Sequence, residues 1–231
     1  MTNTTEKNIK RFGWAKQLSG MMILLMAVLS FGARADHDED PYKMIQRVAD
    51  ATFKRIVTDQ QLIDTDPNHL KKVVREELMP YINYKLTAKI VLGKTKASKA
   101  EKKAFYAAFN EYLITTYATV FTKYDDQKVV FEAPRSIEGK KVVTVKTRIV
   151  DGSRPDIHID FKVRMNKKTG KWLAYDMVAE GISLLNTKKA ELKSLLRQKN
   201  GVSNVTRLLN EKASITIKKG ASASKESSAS E

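Results

Sequence analysis

Apolar residues recur at spacings of three and four through the first half of the chain, the period of amphipathic helices. One such stripe follows Pro41, and a second follows an Asp-Pro pair at 66–67, a typical helix start. A third spans 81–93 and ends at a glycine, and a capping-box signature at 98–101 opens a long, aromatic-rich fourth. This half is therefore predicted to be helical.

From about Lys128 the spacing of apolar residues changes to two, which is typical of strands with one buried face. In the fourth such segment we predict that Leu173, Tyr175 and Met177 share the inner face, while Asp176 faces outward with Trp172. Short turns at 151–155 and 167–170 separate neighbouring segments. The pattern predicts an antiparallel meander with one apolar and one polar face, over 128–132, 143–149, 157–165 and 172–178.

Glu180 and Gly181 break the last strand, and helical spacing resumes after them until Gly201 divides it into two helices. A strand-glycine-helix junction can display a nucleophile, cradle a phosphate or only end the strand. No nucleophile and no further glycine accompany this one, so we interpret it as an end of the strand. Helices, then strands, then helices indicate an α+β domain, with a four-stranded curled antiparallel sheet wrapped by about six helices.

The two ends of the chain differ in residue pattern from its middle. Basic residues, an apolar run at 21–31 and Ala33-Arg34-Ala35 predict a signal peptide over 1–35 that is cleaved after Ala35. A membrane anchor is the alternative, but the run is shorter than the about 20 residues that span a bilayer. We predict one folded domain over 36–217 and a disordered polar tail over 218–231.

The net charge is +16, and +12 after the predicted cleavage, so anionic partners are favoured. In an exported protein we expect these to be lipid phosphates or membrane surfaces rather than nucleic acid. The chain has no cysteine, so its core must hold the fold without disulfides.

Candidate catalytic groups are few. His37, His69 and His158 lack the spacing of metal-binding pairs, and we interpret them as ordinary surface histidines. Asp176 is the one carboxylate in an otherwise apolar strand. On a curled sheet such a group can act as a general base, which leaves an isomerase or hydrolase of small apolar substrates as an alternative.

Four segments carry a resemblance that extends over about residues 40–215. YDMVAEGISLLNTKKAELKSLLR at 175–197 closely resembles the MlaC family of periplasmic phospholipid carriers. EELMPYINYKLTAKIVLG at 76–93, AFYAAFNEYLITTYA at 104–118 and DPYKMIQRVADATF near the start of the mature chain do so too, in the same order. The family is therefore the main hypothesis for this chain.

The resemblance implies an apolar cavity between sheet and helices that holds the acyl chains of a phospholipid, with the headgroup at its mouth. It implies a monomeric periplasmic carrier without cofactor, metal or catalytic activity. It also implies two partners, the inner-membrane MlaFEDB complex through its MlaD subunit and the outer-membrane MlaA–porin complex, and a role in maintaining outer-membrane lipid asymmetry.

Transfer free energies agree with a carrier. Two acyl chains hold roughly thirty methylenes at about 0.8 kcal/mol each, so free phospholipid crosses water very slowly. The predicted lining is apolar and comes from both layers: Leu78, Ile82, Leu86, Ile90, Phe109, Tyr112, Leu113, Val143, Val145, Ile149, Ile159, Phe161, Val163, Tyr175 and Met177. The predicted phosphate contacts at the mouth are Lys85, Lys89, Arg148 and Arg154.

Two other classes of protein remain open from the sequence. For the isomerase or hydrolase, Asp176→Asn should abolish function, whereas a carrier should tolerate it. A structural adaptor that docks its basic face on membranes predicts no cavity, and its binding to anionic vesicles should be lost at high salt.

Overall fold

A computed structural model of the chain describes residues 39–124, 127–150 and 155–219. The predicted signal peptide, 220–231 of the predicted tail, His37 and Arg154 lie outside the described residues. None of the helices in the described part is long and apolar enough to cross a membrane. The α-helices are α1 (Pro41–Thr58), α2 (Gln60–Thr65), α3 (His69–Val73), α4 (Tyr84–Leu92), α5 (Lys99–Phe121), α6 (Leu184–Arg197) and α7 (Gly201–Ala213). The strands are β1 (Lys128–Phe131), β2 (Val142–Val150), β3 (Ile157–Met165), β4 (Trp172–Ala179) and β5 (Ile182–Ser183).

Side-chain caps fix where the helices begin. The Asp40 carboxylate accepts a hydrogen bond from the Tyr42 N–H at 2.8 Å, which starts α1. The predicted capping box of Ser98 and Glu101 is present at the start of α5. α4 begins three residues later than the sequence predicts, because the Asn83 side chain accepts from a backbone N–H at 3.1 Å and caps the helix.

The segment between α3 and α4 is irregular, where the sequence predicts a helix that follows Asp66-Pro67 and is interrupted at Pro80. The helix starts at His69, since the Asp66 side chain accepts from the Asn68 N–H at 3.0 Å and holds a turn instead of a cap. α3 then continues into a π-helical turn at Val74–Leu78 and a 3-10 turn at Met79–Tyr81. Pro80 lies near the start of the second turn, where a helix needs no hydrogen bond from its backbone nitrogen.

The predicted α+β class is confirmed, but the strand and helix counts differ slightly from the prediction. The sheet is antiparallel with the order β1-β2-β3-β4-β5, so it has five strands rather than four. Glu180 and Gly181, at φ +48° and +78°, form a tight hairpin turn into the two-residue β5, and α6 follows directly. The described part has seven α-helices rather than about six, since the short α2 carries only one buried residue, Ile63, and gives no stripe.

A β-bulge corrects the predicted faces of β4. Trp172 pairs with Met165 and Ala174 with Val163, but beyond a register shift Met177 pairs with Phe161. Because directly paired residues point to one side of a sheet, Trp172, Ala174 and Met177 share the inner face. Leu173, predicted to be inside, pairs with Arg164 on the outer face. Tyr175 is the extra residue of the bulge, and it packs against helices.

Three clusters of buried residues form the core. The sheet cluster joins α1 to β2, β3 and β4, through Met44, Ile45, Val48, Val143, Val145, Val163 and Trp172. The helical cluster joins α4, α5, α6 and α7, through Val91, Phe105, Phe109, Leu192, Val205 and Leu209 among others. The third cluster, here the hairpin cluster, joins α1, α2, α3 and the second half of α5, through Ile56, Leu70, Val73, Val74, Ile114 and Ala118.

Candidate functional site

The inner face of the sheet is closed at one end and exposed at the other. Val145 and Val163 are 1% and 0% exposed beneath α1. At the opposite end, Ile157 is 46% exposed and Ile182 61% exposed among the described residues. Ile182 pairs with Ala179, and Ala179 with Ile159, so this exposed apolar surface continues the inner face. We call this the open end of the sheet.

Half-buried apolar side chains lie where the three clusters meet. Leu78 packs against both the sheet cluster and the hairpin cluster, and Leu113 packs against both the helical and the hairpin clusters. We call this meeting place of the three clusters the central region. Ten of the predicted lining residues are half-buried, at these or other positions around the clusters: Leu78, Ile82, Leu86, Ile90, Tyr112, Leu113, Ile149, Phe161, Tyr175 and Met177.

The other five predicted lining residues are fully buried in the clusters. They are Phe109, Val143, Val145, Ile159 and Val163, which are 0–9% exposed. Four of them lie in β2 and β3, and Val143, Val145 and Val163 pack in the sheet cluster with α1. In this conformation they support the fold, whereas the ten half-buried residues keep part of their surface accessible.

Tyr117 also borders the central region, and the sequence-based lining omitted it. Burial raises the pKa of the Tyr117 phenol to about 12, with smaller contributions from the charges of Asp176 and Tyr112. Its side chain nevertheless keeps accessible surface. Its position four residues after Leu113 on α5 is the sequence signal that could have identified it.

We predict that wild type and Tyr117→Phe differ increasingly in stability as the solution becomes alkaline. The folded pKa of about 12 exceeds the ordinary 10.0, so the fold favours the neutral phenol. That stabilisation is complete below pH 10 and is lost as the pH rises from 10 to 12. Relative to the variant, wild type should lose about 1 kcal/mol of unfolding free energy between pH 8 and pH 11. Urea unfolding of both proteins at the two pH values measures this difference in unfolding free energy. An equal change in the two proteins would show that the Tyr117 phenol is exposed to water.

The Asp176 side chain has a structural role. Its carboxylate accepts from the Ser183 hydroxyl at 2.8 Å and from the Leu185 N–H at 3.1 Å. Lys162 Nζ lies 3.2 Å from it, and the Asp176 side chain is only 3% exposed. The carboxylate therefore ties β4 to β5 and to the start of α6. A general base needs an oxygen that reaches the substrate, and both oxygens of Asp176 already accept hydrogen bonds.

Each of the two histidines within the described residues lies near a carboxylate. His69 Nε2 lies 2.7 Å from Asp59 Oδ2, and the His69 side chain is only 17% exposed. The prediction of an ordinary surface histidine is therefore wrong for His69, because this contact joins α3 to the end of α1. His158 is 58% exposed and lies 3.5 Å from Glu180. Among the described residues, no three His, Asp or Glu side chains cluster in a way that could hold a metal ion.

The residues predicted at the mouth lie on two different elements. Lys85 and Lys89 are exposed on α4, and Lys85 lies over the Tyr84 ring at 5.8 Å. Arg148 lies opposite His158, one residue from the open end, on the outer face of the sheet. Its guanidinium pairs with Asp156 at 2.6 Å. Lys85 and Lys89 are therefore exposed cations, whereas the charge of Arg148 is already paired with that of Asp156.

A separate cavity of about 300 Å³ lies between β2, the β1–β2 loop and the start of α1. Only Val143 belongs both to this cavity and to the predicted lining. The remaining lining is Tyr42, Glu132, Ala133, Arg135, Lys140, Val142, Thr144 and Lys146. This cavity is therefore distinct from the central region.

Known proteins match this chain in sequence and in fold. A family model described as MlaC protein matches residues 46–211. A curated relative from Haemophilus influenzae, the intermembrane phospholipid transport system binding protein MlaC, is 34% identical over 154 residues, which are 64% of this chain and 71% of the relative. A phospholipid-binding protein from Ralstonia solanacearum, solved in complex with a phospholipid, shares the fold with a TM-score of 0.67 at 20% identity. That match covers 76% of this chain and 97% of the solved one.

Proposed function

The chain belongs to the MlaC family, and on that premise we propose that it is a phospholipid carrier that holds acyl chains in its central region. The observation that supports this most is the group of half-buried apolar side chains between the three core clusters. Phe109 and Val163, by contrast, are almost completely buried within their clusters. An acyl chain laid against Leu78, Leu113 and Phe161 would remove their remaining surface from water.

The open end of the sheet is our proposed mouth. Acyl chains entering there pass Ile157 and Ile182 before they reach the central region. Arg148 lies at the same end, and Lys85 and Lys89 are exposed on α4. A phosphate at the mouth would stay in water and near Arg148, which costs much less free energy than burying it. We propose that Lys85 and Lys89 contribute where the headgroup reaches α4. We propose that Arg154 contributes in the same way.

A carrier needs no catalytic group, and the polar residues of the described part agree with that. The isomerase or hydrolase alternative depends on Asp176. Its carboxylate already accepts hydrogen bonds from Ser183 and Leu185 and lies beside Lys162. We propose that the protein is exported through cleavage after Ala35 and works in the periplasm. There it would exchange phospholipid with the MlaD subunit of the inner-membrane MlaFEDB complex and with the outer-membrane MlaA–porin complex.

The proposal predicts that the mature protein carries phospholipid when it is isolated from cells. Native mass spectrometry of protein purified from the periplasm should show a mass increment of one diacyl phospholipid or more, and lipid analysis should identify it. Retention through a wash in 1 M salt is expected, because apolar contacts are not screened by ions.

Delipidated protein offered phosphatidylglycerol vesicles should take up lipid and remain soluble after the vesicles are removed. Protein that stays bare under both conditions would contradict the carrier function. Binding to anionic vesicles that disappears in 1 M salt, without a retained lipid, would favour the membrane adaptor instead.

A further inference from the structure

Half of one edge of β2 has no strand beside it. β1 pairs only with the second half of β2, from Thr147 to Val150. One further hydrogen bond, from the Glu132 N–H to the Lys146 carbonyl at 3.0 Å, extends the ladder by one residue. No strand of the described chain pairs with this side of β2 between Val142 and Val145. An unpaired edge is a template for another extended chain.

Neighbouring hydrogen bonds show in which direction the backbone N–H and C=O groups of this free edge point. The Met165 N–H donates to the Lys141 carbonyl at 3.1 Å, so Lys141 points toward β3. In an antiparallel ladder, successive residues direct their N–H and C=O groups to alternate sides. Val142 and Thr144 therefore direct theirs away from β3, as Lys146 does toward Glu132. A chain laid along the edge would find two N–H donors and two C=O acceptors.

The cavity of about 300 Å³ runs alongside this edge, and its charge is unbalanced. Arg135, Lys140 and Lys146 line it together with one carboxylate, Glu132. None of the three cations makes an ion pair with another part of the described chain. Val142, at 46% exposed, and Tyr42 supply apolar surface beside them. The edge thus offers backbone pairing, a net positive charge and small apolar contacts within one site.

We propose that this site, the free edge of Val142–Val145 with the adjoining cavity, binds an extended acidic segment of a partner protein by strand addition. Backbone hydrogen bonds supply the affinity, and alternate side chains of the segment supply the specificity. Acidic side chains of the segment would lie on the face of the strand that carries Lys146. The alternate apolar side chains would lie on the opposite face, beside Val143 and Tyr42. Lysines on an edge also protect sheets from pairing with other chains. That role predicts no binding of an acidic segment, so experiment separates the two.

The probe is a fluorescently labelled, end-capped peptide of six alternating glutamate and valine residues. Fluorescence anisotropy with the full mature protein should show saturable binding, and amide shifts in NMR spectra should centre on 142–146. The same peptide methylated at alternate backbone nitrogens cannot donate to Val142 and Thr144, and it should bind at least tenfold more weakly. A peptide of alternating lysine and valine should not bind.

Variants test the site from the protein's side. Thr144→Pro removes the free edge N–H without removing a ladder hydrogen bond, a place where edge strands tolerate proline. It should weaken binding at least tenfold, whereas Thr144→Ala should leave binding unchanged. Lys140→Glu combined with Lys146→Glu should also weaken it at least tenfold. Lys193→Glu combined with Lys199→Glu, which makes the same charge change away from the site, should not.

Several results would overturn the proposal. They are equal binding of the methylated peptide, no binding at millimolar peptide, and equal binding by Thr144→Pro. Protein truncated to begin at Glu39 that binds the peptide more than tenfold tighter would assign the edge to the chain's own acidic start instead. The edge is separate from the central region, so lipid-loaded and delipidated protein should bind the peptide equally. Failure here therefore leaves the carrier function standing.

Discussion

Leu113→Asp is expected to lower phospholipid occupancy at least tenfold, the largest functional effect that we predict. Leu113 packs against two core clusters and still keeps accessible surface, so its side chain faces the central region. A carboxylate there keeps its water only if no acyl chain covers it, and covering it costs several kcal/mol. The measurement is lipid released per mole of protein after purification from cells.

Val120→Asp is the matched control for this prediction. Val120 lies two turns later on the same helix and is 54% exposed, so its replacement should change neither stability nor lipid content noticeably. Leu113→Asp should itself lose about 1–3 kcal/mol of unfolding free energy from lost apolar contacts, and circular dichroism shows whether it stays folded. A folded Leu113→Asp protein with full lipid content would mean that acyl chains do not lie against α5.

Asp176→Ala is expected to cost about 3 kcal/mol of unfolding free energy. The substitution removes the acceptor of two hydrogen bonds and leaves the Leu185 N–H without its partner beside a buried residue. The contribution from Lys162 is smaller, since that side chain is 35% exposed and its charge is partly screened. Urea unfolding at pH 7 measures the loss. The Tyr117 phenol should then titrate at a lower pH, since one of the charges that raise its pKa is gone.

Asp160→Ala is the control for Asp176→Ala. Asp160 lies on the same outer face and pairs across the sheet with Val178. It makes no hydrogen bond or ion pair with the rest of the described chain, so its removal should change the free energy of unfolding by less than about 0.5 kcal/mol. Equal losses in the two variants would show that Asp176 has no special role. Lipid exchange by protein that remains folded should survive both substitutions, whereas an isomerase or hydrolase built on Asp176 would lose its activity.

The order and kind of the main elements were predictable because each depends on short-range pattern. The stripe after Pro41, the capping box at 98–101 and the alternation in β2 and β3 all match elements of the structure. Each of these signals expresses one local requirement: an apolar face, a satisfied helix end or a pleat with one buried side.

The errors arose where tertiary contacts decide the local structure. The bulge in β4 reverses the faces of Trp172 and Leu173. It arises from the pairing with β3, so the residue types in 172–178 do not predict it. The two-residue β5 is too short to show alternation. α2 buries a single side chain, so it has no stripe to detect.

The candidate site was predictable in composition but less so in extent. Alternation identifies the inner face of β2 and β3, yet it does not distinguish Val163, sealed beneath α1, from Ile157 at the open end. That difference depends on where α1 lies on the sheet. Tyr117 was missed for a related reason, because its spacing from Leu113 places it on a face of α5 without showing what that face meets.

The end of the described chain has a consequence for the order of folding. The Asn68 side chain accepts from the Ile217 N–H at 3.0 Å, and Lys71 Nζ donates to the carbonyls of Ala213 and Ile215. The residues joined by these contacts are between 142 and 149 positions apart in the sequence. The hairpin cluster includes Ile217 itself, so it cannot be completed until the chain has been synthesised through residue 217. Until then, α1, α2 and α3 lack one of the side chains that they pack against in the folded protein, so this part of the core is completed late.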